Sequence, residues 1–73
     1  MEKVTFTLRP EEEYIVLLQL LKIQQIAQSG GHAKMMVEDG LVQVNGEKEY
    51  RKRKKLRPGD VVEIDDTQIT IGS

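Results

Sequence analysis

Gly40-Leu41-Val42-Gln43-Val44-Asn45-Gly46 is the stretch on which the reading of this chain turns. Gly40 closes a helical pattern in the left-handed conformation that terminates so many helices. Leu41 to Val44 then reads as a strand. Asn45-Gly46 is the strongest short-range hairpin signal, because both residues tolerate positive φ. Within seven residues a helix stops, a strand runs and the chain reverses.

Upstream, Ala33, Met36 and Val37 form the narrow apolar face of a second helix. Ser29 is placed to cap it, with Gly30 and Gly31 at its first positions. Ile23 to Gln28 reads as a turn or short irregular connection. Before it, Tyr14, Leu17, Leu18 and Leu21 recur at i, i+3, i+4 and i+7, the stripe of a core-facing first helix. Ile15, Val16 and Leu20 widen the stripe, leaving Gln19 and Lys22 solvated. Such a helix needs cover, from its own domain or from a partner. Pro10 fits its first turn, and Glu11, Glu12 and Glu13 complement its dipole. Val4, Phe6 and Leu8 alternate with polar residues as a half-buried strand.

Downstream, Glu47 to Tyr50 is the expected return strand. Pro58-Gly59-Asp60 is a turn into Val61-Val62-Glu63-Ile64, and Asp65-Asp66 turns the chain again into Gln68-Ile69-Thr70-Ile71. The order is strand, helix, helix, then short antiparallel strands. The fold class is α+β.

Charge is unevenly spread. Lys48 to Arg57 holds seven of the eleven basic residues and one acid, a net +6, while the other sixty-three residues carry four bases and eleven acids, a net −7. A local positive field, rather than the chain average of −1, attracts phosphates. A solvated loop or an address signal is the plainer alternative.

The 73 residues suit one small domain, 1–73, whose core is only marginally sufficient. Without cysteine there is no disulfide or thiolate chemistry to supplement it. No apolar run approaches a membrane span and the start carries no secretory pattern, so a cytoplasmic location is expected. One histidine and no phosphate-loop motif leave no catalytic residue, metal site or cofactor to expect. Asp65-Asp66 reads as a turn rather than half of a metal site.

From Leu17 to Ile64 the order and its punctuation resemble the S-four RNA-binding domain, also called the alpha-L RNA-binding motif, with a family-like core at about residues 14–64. The residues that carry the likeness are Ser29, Ala33, Met36-Val37, Gly40, Val42-Gln43-Val44-Asn45-Gly46 and Pro58-Gly59-Asp60-Val61-Val62-Glu63-Ile64. Arg51-Lys52-Arg53-Lys54-Lys55 and the segment Ser29 to Lys34 look most like the small free-standing bacterial members. The resemblance implies RNA contacts from the second helix and from the connection after the hairpin. It carries none to the first helix start, where Glu11-Glu12-Glu13-Tyr14 replaces the family's basic pattern.

The candidate RNA-binding residues are therefore Ser29, Gly30, Gly31, His32 and Lys34, with Arg51, Lys52, Arg53, Lys54 and Lys55. Unpaired N–H groups at a helix start suit a phosphate, and glycines let it approach closely. Arg51 and Arg53 can grip phosphate oxygens with two donors, whereas the lysines act as point charges. An extended run would point alternate side chains to opposite faces, and a bend would relieve that. Tyr50 suits either a stacked base or a cross-strand contact. The expected function is non-enzymatic binding of structured RNA, ribosomal or transfer RNA by resemblance. A protein partner docked on the apolar first helix is the alternative, and DNA a third reading.

Overall fold

The computed structural model describes residues 1–73. The elements run β1 (Glu2–Thr7), β2 (Ile15–Val16), α1 (Leu17–Ile23), α2 (Gly30–Glu38), β3 (Val42–Val44), β4 (Glu47–Lys48), β5 (Lys55–Leu56), β6 (Val61–Ile64) and β7 (Thr67–Gly72). Five strands form one sheet in the order β1-β7-β6-β3-β4, and β2 pairs with β5 in a separate two-stranded ribbon. Every pairing is antiparallel except β1 with β7. Period-two alternation turns Val42, Val44, Val62, Ile64, Ile69 and Ile71 into the core. Leu17, Leu20 and Leu21 of α1 and Ala33, Met36 and Val37 of α2 join them in a cluster of 16 buried apolar residues. No polar residue is buried with them.

The deciding stretch folds as expected. Gly40 has φ +74°, and its N–H and that of Leu41 donate to the carbonyls of Val37 and Met36, closing α2. Asn45 (φ 53°) and Gly46 (φ 86°) make the two-residue reversal between β3 and β4. The Asn45 side chain does more than turn the chain. Its Nδ2 donates to Asp60 Oδ1 at 3.1 Å and its Oδ1 accepts from the Val61 N–H at 2.9 Å. The Asn-Gly and Pro-Gly-Asp-Val punctuation is thus one hydrogen-bonded unit.

The first helix starts later than its stripe suggests. α1 begins at Leu17 and has no acid in its first turn. Pro10 and Glu11 lie in a turn in which the Arg9 N–H donates to Glu12 Oε1, at 3.0 Å, and the Glu12 N–H donates back to the Arg9 carbonyl. Tertiary pairing overrides the helical periodicity, since Ile15 and Val16 pair with Leu56 and Lys55 and keep the backbone extended up to the N-cap. Strand alternation then sends Ile15 inward and leaves Tyr14 37% exposed, off the stripe. The return strand is also shorter than expected, ending at Lys48 rather than Tyr50.

α1 closes as α2 does, with a non-glycine residue at the same position. Gln25 has φ 60°, the Gln25 N–H donates to the Lys22 carbonyl and the Ile26 N–H to that of Leu21. Leu17 and Leu20 are fully buried, so the wide apolar face finds its cover inside the chain.

Candidate nucleic-acid interface

The basic segment is pinned by its backbone. The start of α1 has no side-chain cap, and the Leu17 and Leu18 N–H groups donate instead to the carbonyls of Lys54 (2.9 Å) and Lys52 (3.3 Å). Lys52-Arg53 turns the chain, with the Lys54 N–H donating to the Arg51 carbonyl at 3.1 Å. Leu56 is fully buried and anchors the far end. At the same end, Asp60 Oδ2 accepts from the Arg57 N–H at 2.8 Å while its other oxygen holds Asn45. With the carbonyls turned inward, the charged side chains are left at the surface.

The bend gathers those charges. Arg51, Arg53, Lys54, Lys55 and Arg57 line an open concavity of about 510 Å³, with no acidic or apolar residue in its wall. Five converging cations repel one another, and a polyanion is the ligand that relieves this. Of the residues singled out from sequence, Lys52 does not line the concavity, and Arg57 was missed. The available signal for Arg57 was alternation about Leu56, which places Lys55 and Arg57 on one face.

Two side chains modify this field. Glu49, the one acid in the segment, holds Arg51 through Oε2 to Nε (3.0 Å) and Oε1 to Nη2 (3.2 Å), and Oε2 also accepts from the Arg51 N–H. The Arg51 hydrogen bonds hold the Glu49 carboxyl below the usual glutamate range, and the same pairing raises Arg51. Arg51 is thus partly neutralised, Lys54 also feels the Glu49 charge, and Arg53, Lys55 and Arg57 stand in no ion pair. Tyr14, also missed, stands beside the rim, its ring centroid 5.0 Å from Lys55 Nζ and 5.8 Å from the Arg57 guanidinium carbon. Tyr50 is 58% exposed, and a Cβ placed on Gly40 would come within 3.2 Å of its ring.

The second candidate region is the start of α2. Ser29 Oγ accepts from the His32 N–H at 3.1 Å and caps α2, and His32 Nδ1 accepts from the N–H of Gln28, one residue before the cap, at 3.1 Å. The Gly30 and Gly31 N–H groups have no acceptor within the chain, and the space where a Gly30 Cβ would sit is open. Lys34 is exposed one turn on. None of these residues lines the cationic concavity.

Comparison with known proteins places the chain in a family. Residues 8–72 match a family model described as the S4 domain. A Bacillus subtilis protein named "Probable ribosome maturation protein RlbA" is 46% identical over 55 residues, which cover 75% of this chain and 78% of that one. An Escherichia coli protein named "Putative RNA-binding protein YbcJ" is 38% identical over 58 residues, 80% of this chain and 81% of that one. The solution structure of YbcJ from E. coli, described as revealing an alfaL motif involved in RNA-binding, matches with a TM-score of 0.70 and 31% identity over 96% of this chain and 87% of that one. The chain belongs to the S4 domain family, and its α+β architecture is that of the YbcJ alpha-L motif.

Proposed function

We propose that this chain is a non-enzymatic RNA-binding module of the cytoplasm that grips the phosphates of structured RNA in the concavity of Arg51, Arg53, Lys54, Lys55 and Arg57. The observation that carries the reading is that wall of five cations without one acid, set in a chain of net charge −1. The names of the relatives point the same way, towards RNA and towards ribosome maturation. Structured ribosomal RNA, or transfer RNA, is the target class this supports. A backbone-gripping site reads shape and charge, while contacts to the 2′-hydroxyl separate RNA from DNA. The free Gly30 and Gly31 N–H groups, with Ser29, His32 and Lys34, form a second contact in the same reading, and Lys52 adds its charge from the bend of the basic segment. Residues 1–73 act as one such module. The adaptor reading is less supported, because Leu17, Leu20 and Leu21 are buried and Leu18 packs, partly buried, against the core.

Crosslinking the protein in its own cells and sequencing the bound nucleic acid tests this. Enrichment of ribosomal or transfer RNA is expected. Recovery of DNA, or of no nucleic acid above an untagged control, would overturn it.

A further inference from the structure

We propose that Tyr14 is a stacking platform for one unpaired base, so that the concavity selects RNA with a single-stranded nucleotide beside its bound phosphates over fully paired duplex. The inference rests on the RNA-binding reading and adds a preference to it. Ile15 pairs with Leu56 in an antiparallel ribbon, which places Tyr14 one step further along, opposite Arg57. Ile15 faces the core, and Tyr14 faces the same side as the exposed Lys55 and Arg57. Both cations line the concavity and both stand within 6 Å of the ring centroid.

The surroundings of the ring separate it from an ordinary packing aromatic. Tyr14 lies outside the buried apolar cluster and outside the partly buried residues packed against it. Its hydroxyl makes no hydrogen bond within the chain. The two cations that stand over it are the same two groups that would hold phosphates. A base laid on this ring has its own phosphates within reach of Lys55 and Arg57. Stacking tolerates any base, because each presents a π-face. In a duplex those faces are already occupied by neighbouring base pairs, so only a loop, bulge or single-stranded end can use the platform.

The test compares two RNAs of equal phosphate number, a stem carrying an unpaired loop and a blunt duplex, titrated with the parent, Tyr14→Phe and Tyr14→Leu at one salt concentration. Tyr14→Leu is expected to lose about 5- to 100-fold affinity for the loop RNA and less than about twofold for the duplex. Tyr14→Phe keeps the ring and is expected to match the parent on both. Equal losses on the two RNAs, no loss on either, or a Phe variant as weak as the Leu variant would overturn the proposal. A parent that binds neither RNA overturns the RNA reading itself, and this inference with it. An independent measurement needs no change at Tyr14. The chain has two tyrosines and no tryptophan, so Tyr50→Phe leaves Tyr14 as the sole fluorophore. Its emission is expected to be quenched by the loop RNA and not by the duplex. Equal quenching by both, or none by the loop RNA, overturns the platform.

Discussion

Asn45 and Asp60 show how much a single side chain fixes here. Asn45 supplies positive φ at the hairpin and spends both ends of its amide on the turn fifteen residues later. Asn45→Ala loses both hydrogen bonds and leaves the Val61 N–H unpaired, so a loss of about 1–3 kcal/mol is expected in urea unfolding. Asn45→Gly should lose less, because it keeps the left-handed backbone. At Gln25 the direction reverses. A side chain at φ 60° is strained, and Gln25→Gly is expected to stabilise by up to about 1 kcal/mol in the same assay. Glu49 links stability to pH. Because its folded carboxyl titrates lower than the ordinary 4.5, the unfolded chain binds the extra proton first. Its contribution is complete above that value and is lost as pH falls through the folded pKa. Glu49→Gln should therefore flatten the acid limb of the stability profile below pH 4.5. The same change frees Arg51, and RNA affinity at neutral pH should rise. An unchanged acid limb would mean the Glu49–Arg51 contact does not persist in solution.

Among the elements, the two-stranded ribbon of β2 and β5 decides the site. It carries Leu56 into the core and turns Lys55 outward, and the bend just before it gives the Lys52 and Lys54 carbonyls to the start of α1. Leu56→Ala is expected to destabilise the fold by about 2–5 kcal/mol and to weaken binding by loosening the segment. This ribbon was not legible in the sequence. Tyr14 to Leu21 satisfies helical periodicity, and nothing local in Ile15-Val16 reveals that a segment forty residues later takes them as a strand. The punctuation was legible because its conformations are local. Ser29 caps α2, Gly40 closes it and Asn45-Gly46 reverses the chain for reasons contained in each residue. The basic segment was legible as charge and not as shape. Its bend depends on Lys52 and Lys54 carbonyls finding N–H groups of a helix distant in sequence, which also hid Arg57 and Tyr14 from the list of candidates.

In the molecule as a whole, what holds the fold is separate from what meets the ligand. The core is apolar throughout, and the segment that carries the concavity's cations is anchored by main-chain bonds, with Arg51 alone also held by an ion pair, to Glu49. Replacing charges there should change binding and leave stability nearly unaltered. With Arg51 held by Glu49, the four remaining wall cations set the salt dependence. Releasing counterions from about four phosphates gives a log–log slope of affinity against salt of roughly −3 to −4. The most direct test is a titration against structured RNA at several salt concentrations, comparing the parent with the triple variant Arg53→Gln, Lys54→Gln, Lys55→Gln. A folded variant whose slope is shallower than the parent's by about two to three is the predicted result. Equal slopes for the two proteins would contradict the account and leave the basic segment as a solvated surface.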